Sequence, residues 1–166
     1  MQHFVVMGVT GCGKSTIAEG VAQRIDVAFI EADALHCDAN ISKMASGEPL
    51  TDDDRWPWLK RVATAIQTSQ IPVVVSCSCL KRAYRDVLCN QSKLHIGFIH
   101  LHTDRDVIAR RMAKRSGHFM PTSLLDSQIA ILEMLDADEN GVLVDVNQSI
   151  DSIIDEATRF VKHTMS

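Results

Sequence analysis

Gly8-Val9-Thr10-Gly11-Cys12-Gly13-Lys14-Ser15 fills every fixed position of a G-x-x-x-x-G-K-S phosphate-binding loop. Its glycines let the backbone curl until successive N–H groups converge on an anion. A helix starting at Ser15 adds its partial positive charge. The expected contacts to a nucleoside triphosphate are Gly8, Thr10, Gly11, Cys12, Gly13, Lys14, Ser15 and Thr16. Lys14 would reach the β- and γ-phosphates, and the Ser15 hydroxyl would complete a Mg²⁺ shell.

A second group of reactive types is Glu31-Ala32-Asp33-Ala34-Leu35-His36. A carboxylate there could accept a proton from an attacking hydroxyl or hold Mg²⁺ through water. Asp33 is the first choice and Glu31 the second. A third group is cationic: Arg110, Arg111, Lys114 and Arg115. Arg111 and Arg115 share a helix face, as do Arg110 and Lys114, and like charges so spaced cost roughly 0.2–0.5 kcal/mol per pair. One reading is a solvated helix end compensated by the dipole. The other is a lid, about residues 104–125, whose Arg111 and Arg115 close over the triphosphate and stabilise the transferring phosphoryl group. Gly117 would be its hinge and His118-Phe119-Met120-Pro121 its return.

These groups need a scaffold, and the chain alternates strand-like and helix-like segments throughout. Strands are expected at Phe4–Met7, Val27–Ile30, Pro72–Ser76, Ile96–Leu101 and Val142–Asp145. Between them helices are expected over Ser15–Ile25, Asn40–Ser46, a segment capped by Asp52-Asp53-Asp54 with Pro57 in its first turn, Leu80–Leu88, Asp106–Arg115 and Leu124–Leu135. Ile150–His163 closes the chain. Alternation of this kind predicts an α/β fold: a five-stranded parallel sheet with helices on both faces, in one domain over 1–166. Ligands then collect at the carboxyl ends of the strands. The segment after the last strand, Asp145 to Gln148, supplies Asn147 as a candidate base contact.

Composition excludes several classes. A formal net charge of −4 argues against a nucleic-acid binder. No apolar stretch approaches the ~20 residues of a membrane span. The first strand begins at once, which leaves no room for a signal peptide. The five cysteines lack C-x-x-C or metal-ligand spacing, and reduced thiols in a cytoplasmic protein are expected. Cys77 and Cys79 read as small apolar residues at a strand end, and Cys12 as a thiol beside bound phosphate. His100 and His102 read as structural. No aspartate ends the third strand and no N-K-x-D element is present, which weighs against a motor ATPase and a GTPase switch.

Several further motifs carry a family resemblance: Asp33-Ala34-Leu35-His36, Asn40-Ile41-Ser42-Lys43-Met44, Gly47-Glu48-Pro49-Leu50-Thr51-Asp52, Asp54-Arg55-Trp56-Pro57-Trp58-Leu59, Cys77 through Asp86, Gly117 through Pro121, and Ser127-Gln128. With the phosphate loop, these resemble the gluconate kinases of the small P-loop type, from Val5 to about Val146. The resemblance implies an adenylate-kinase-like P-loop NTPase fold with a lid and ATP-dependent phosphorylation of D-gluconate to 6-phosphogluconate. It also implies a homodimer and a product feeding the pentose phosphate or Entner–Doudoroff routes.

An acid studded with hydroxyls needs one fixed cation and several hydrogen-bonding groups. Arg55 suits a bidentate carboxylate clamp, against the alternative of an ion pair with Asp52 or Asp54. His36, Lys43, Lys81, Arg85 and His118 are the further candidates, and Asp33 would meet the 6-hydroxyl. Trp56 and Trp58 read as packing residues. The chain departs from the family at Glu31-Ala32-Asp33 for Asp-Gly-Asp, at Cys37 for proline, and at Glu133-Met134-Leu135, which lacks a proline. Two other functions fit the same residues: a kinase for another sugar acid or a shikimate-like ring acid, and a nucleotide-gated binding protein that transfers nothing.

Overall fold

The structure, a computed structural model, describes residues 1–114 and 122–166. The strands are β1 (His3–Met7), β2 (Ala28–Glu31), β3 (Val73–Ser76), β4 (Ile96–His102) and β5 (Gly141–Asp145). The helices are α1 (Lys14–Ile25), α2 (Asp38–Ala45), α3 (Asp52–Thr68), α4 (Arg82–Ser92), α5 (Arg105–Lys114), α6 (Thr122–Ile131) and α7 (Ile150–Met165). The sheet runs β2-β3-β1-β4-β5 with every pairing parallel, as the alternating pattern requires.

Right-handed crossovers decide the layers. The connection from β1 to β2 runs opposite to all later ones, so α1 lies on one face, joined there by α7. The helices α3 and α4 cover the other. Strands covered on both faces must be apolar throughout; β1, β3 and β4 are buried along nearly their whole length, whereas the edge strands β2 and β5 are not. On the α7 side, Gly97 lies under Phe4 and Phe160, whose rings meet edge-on at 6.2 Å.

Three expectations about elements change. Thr51, not the aspartate run, caps α3: its hydroxyl accepts from the Asp54 N–H at 3.2 Å, and the Asp54 carboxylate accepts from the Thr51 N–H at 2.9 Å. Pro57 falls in the second turn of that helix. Finally, α6 stops at Ile131 instead of continuing to Leu135. The following segment is captured by α4, since Arg85 donates to the carbonyls of Glu133 and Met134, and the Glu133 carboxylate accepts from the Arg82 N–H at 2.7 Å. The Glu133 N–H donates to the Leu80 carbonyl at 2.7 Å, which diverts a donor that another helical turn would have needed.

Candidate active site

The phosphate loop joins β1 to α1 at the centre of the sheet. Gly13, the residue before α1, has φ 94°, and a Cβ placed there would meet nothing within 4 Å, so its backbone conformation alone calls for glycine. Gly8 is doubly constrained: φ is 145°, and a Cβ would lie 2.7 Å from the Leu101 carbonyl oxygen and 2.8 Å from the Cys12 sulfur. Lys14 Nζ donates to the Val9 carbonyl at 3.0 Å, which folds the ammonium back over its own loop.

Two cavities flank this loop. The outer one, about 420 Å³, is lined by Gly11, Cys12, Gly13, Thr16, Ile17, Arg111, Lys114, Gln148, Ser149, Ile150 and Ile153. Isoleucines form an apolar wall suited to a planar base, and the loop glycines and two cations face an anion. Arg111 reaches the Val146 carbonyl and so is braced against the loop after β5. Asn147 is not among the lining residues; its N–H turns back to the Asp145 carboxylate at 2.8 Å, and Gln148 and Ser149 face the cavity instead.

The inner cavity, about 60 Å³, is bounded by Thr10, Lys14, Asp33, His36, Met44, Pro49, Leu50, Arg55, Trp58, Ser78, Leu124, Ser127 and Gln128. Lys14 and Asp33 stand at the loop end, and Arg55 supplies a second cation. The structure thus brings Asp33, His36 and Arg55 to one cavity. Proximity to protein around the cleft raises the Asp33 carboxyl above its ordinary range, with Lys14 opposing the shift and Glu31 adding to it.

His36 is fixed on three sides. Its ring stacks on Trp58 with centroids 4.1 Å apart and planes 15° apart. The Asn40 amide donates to Nδ1 at 3.2 Å while also reaching the Asp54 carbonyl at 3.0 Å. An accepting Nδ1 leaves the proton on Nε2, which lies 3.8 Å from the Asp33 carboxylate. Burial, with Arg61 and Arg55 adding repulsion, lowers the His36 pKa to about 4, so the ring stays neutral near pH 7. Trp58, only 1% exposed, is a packing residue as expected, and it also walls the cavity and donates to the Ala32 carbonyl at 2.7 Å.

The three other cations expected at the acceptor do not reach this cavity. Lys43 pairs with Asp54 at 2.9 Å, and that bond pulls the Asp54 carboxyl down to about 2. Lys81 pairs with Asp52 at 3.1 Å. Arg85 is 1% exposed and fully engaged, by Glu139 at 2.6 and 2.8 Å and by the carbonyls of Cys79, Glu133 and Met134. It is a strut between α4 and the approach to β5. The acids near Arg55 thus have partners of their own: Tyr84 donates to Asp52, and Arg55 Nη1 donates to the Leu50 carbonyl at 2.7 Å and to the Tyr84 hydroxyl at 3.2 Å. No ion pair to Asp52 or Asp54 consumes the Arg55 charge among the described residues.

Glu31 and Asp33 separate in space. The Glu31 carboxylate receives the Ser15 hydroxyl on one oxygen and the Ser76 hydroxyl at 2.5 Å on the other. Asp33 instead faces Lys14 and the inner cavity. Residue types alone rank Glu31 second and place neither Ser78 nor Gln128 in the site; the motif Ser127-Gln128 is the one signal for the latter. Arg115, Gly117 and His118 lie outside the described residues. The flanking helices are clasped by Arg105 and Asp126, at 2.6 and 3.1 Å. No helix among the described residues is long and apolar enough to cross a membrane.

Residues 4–135 match the family model described as an AAA domain. The chain is 42% identical over 163 residues to the thermoresistant gluconokinase of Escherichia coli (strain K12), covering 96% of this chain and 93% of that protein. It is 44% identical over 162 residues to the gluconokinase of Gluconobacter oxydans (strain 621H), covering 95% and 90% respectively. The crystal structure of a gluconokinase from Sinorhizobium meliloti 1021 superposes with a TM-score of 0.92 at 47% identity, covering 98% of this chain and 93% of that one.

Proposed function

Because the chain belongs to the gluconokinase family, we propose that it transfers the terminal phosphoryl group of ATP to the 6-hydroxyl of D-gluconate, giving 6-phospho-D-gluconate and ADP. The observation that carries this reading is the pair of cavities meeting at one loop. Gly11 to Gly13 line the outer cavity and Thr10 and Lys14 the inner one, so a triphosphate laid along the loop points its last phosphorus at Asp33.

The roles follow from chemistry and placement. Lys14 and the loop amides hold the phosphates. Arg111 closes the outer cavity over the nucleotide, with Lys114 beside it. Arg55 holds the gluconate carboxylate, and His36 offers its Nε2–H to a hydroxyl along the chain. Asp33 accepts the 6-hydroxyl proton, and its raised pKa makes it a better base for that proton than an ordinary aspartate.

The residues present also fit Mg²⁺. Ser15 and Glu31 offer hard oxygen ligands at the head of α1, and Mg²⁺ is commonly held by one or two such groups together with substrate phosphates and water. Ser15 and Glu31 would hold the ion, which when bound neutralises charge on the phosphates. Glu31 therefore takes the metal side and Asp33 the acceptor side. We place the protein in the cytoplasm as a homodimer, with a lid at about residues 104–125.

The test is the identity of the product. With Mg·ATP and D-gluconate, phosphorus NMR should show one new phosphate monoester coupled to the two protons of a single CH₂, as a 6-phosphate requires. A monoester coupled to a single proton would move the reaction to another hydroxyl, and no monoester would refute the transfer.

A further inference from the structure

One contact in the inner cavity lies outside the roles of Lys14, Asp33 and Arg55. The Thr10 N–H, in the middle of the phosphate loop, donates to Gln128 Oε1 at 2.7 Å, across 118 residues of chain. A backbone N–H can only donate, so the bond itself fixes which end of the carboxamide faces the loop. The amide nitrogen with its two donors is therefore on the opposite branch. Gln128 also lines the inner cavity together with Thr10, Lys14 and Asp33, the groups between which the phosphoryl group must pass.

Burial and an ion pair set the placement. Gln128 follows Leu124 by four residues and so shares its helix face. Leu124 and Leu125 are 3% and 0% exposed, which seats that turn of α6 in the protein. Asp126 is held by the fork of Arg105 from α5. A donor group with one end already tied to the loop needs little reorganisation when charge develops beside it.

Resting on the phosphoryl-transfer reading, we propose that Gln128 is a catalytic residue that donates from Nε2 to the phosphoryl group in flight. The bond from phosphorus to the ADP oxygen breaks as the bond to gluconate O6 forms, and the O6 proton passes to Asp33. Charge spreads over the three equatorial oxygens in that transition state. Lys14 meets it from the loop side and Gln128 from the α6 side.

Gln128→Ala removes both ends of the carboxamide; Gln128→Glu keeps an oxygen for Thr10 and replaces the donor with a charge. Both should lower kcat by about 10²–10³-fold, the usual cost of one lost transition-state donor. Gluconate KM and MgADP affinity should stay within about threefold of wild type, since neither bound ground state contains the phosphoryl group in flight. Affinity for MgADP with aluminium fluoride should fall in parallel with kcat. A kcat within about threefold of wild type in Gln128→Glu overturns the proposal. So does a raised KM with kcat retained at saturation, which would make Gln128 only a tie between α6 and the loop. A wild type inactive on gluconate refutes the acceptor assignment instead, while the fluoride complex, formed without acceptor, still reads Gln128.

Discussion

Arg55 should be replaced first by Met and by Lys, because the structure divides its guanidinium into a used edge and an available one. Among the described residues its hydrogen bonds all leave from Nη1, to Leu50 and Tyr84. Nε and Nη2 remain for a substrate carboxylate in the fork geometry that arginine offers. Two hydrogen bonds to a charged group, at about 1.5–3 kcal/mol each, bracket the loss at roughly 3–6 kcal/mol before solvent returns part of it. We expect about 3–4 kcal/mol to survive, which is a loss of some 10²–10³-fold in gluconate affinity for Arg55→Met. Arg55→Lys keeps the charge without the fork and should lose about tenfold. Calorimetric titration with gluconate measures this directly, and comparison with D-glucitol, which lacks the carboxylate, closes a cycle. Wild type should favour gluconate over glucitol by about the same factor that Arg55→Met loses, and Arg55→Met should barely distinguish them. Melting curves must accompany the titrations, since Arg55 is 7% exposed and also anchors Leu50. A folded Arg55→Met that still prefers gluconate as wild type does would refute the clamp.

Asp33→Asn should lower kcat by about 10²–10⁴-fold and abolish the acidic limb of the pH–rate profile, which in wild type should lie above the ordinary aspartate value because the native pKa is raised. An unchanged acidic limb in Asp33→Asn would assign that limb to another group. His36 and His100 both have native pKa values near 4, His36 through burial and two arginines, His100 chiefly through burial beside His102. The unfolded chain therefore takes up protons first as pH falls below 6.5, and stability drops from pH 6.5 toward 4, by roughly 2 kcal/mol per histidine at pH 5. Denaturant titrations at pH 7 and pH 5 should show the drop, and His100→Phe should lessen it; a pH-independent midpoint would contradict the neutral buried rings. Arg85→Met strands the buried Glu139 and should cost about 3–5 kcal/mol, lowering Tm by roughly 10 °C with gluconate KM unchanged. A KM effect at unchanged Tm would return Arg85 to the substrate site.

The strand and helix pattern was legible because strands covered on both faces leave continuous apolar runs, such as Phe4–Met7 and Val73–Val75, that no local chemistry contradicts. The end of α6 was not legible. The Glu133 N–H goes to the Leu80 carbonyl and Arg85 of α4 holds the carbonyls of Glu133 and Met134, contacts between residues about fifty apart. The same limit applies to the site. The phosphate loop, Asp33 and Arg55 are marked by type and position, and the structure brings them to one place. Lys43, Lys81 and Arg85 carry the right charge, but pairing decides whether a cation is available, and Asp54, Asp52 and Glu139 take all three. The two aspartates able by position to neutralise Arg55 are occupied by its rivals. Gln128, uncharged and far along the chain, is marked only by the Ser127-Gln128 motif, and its place beside Thr10 emerges when α6 folds back onto the loop.

The most direct measurement is a coupled assay for ADP release with Mg·ATP, run on D-gluconate beside close sugar acids, neutral sugars and shikimate. Two cavities flanking one phosphate loop, with Lys14, Asp33 and Arg55 in the inner one, predict fast turnover on gluconate and at least about 10²-fold lower kcat/KM on acceptors that lack its carboxylate or its hydroxyls. Nucleotide binding with no turnover on any acceptor would contradict the kinase account. Equal turnover on a neutral sugar would contradict the role of Arg55.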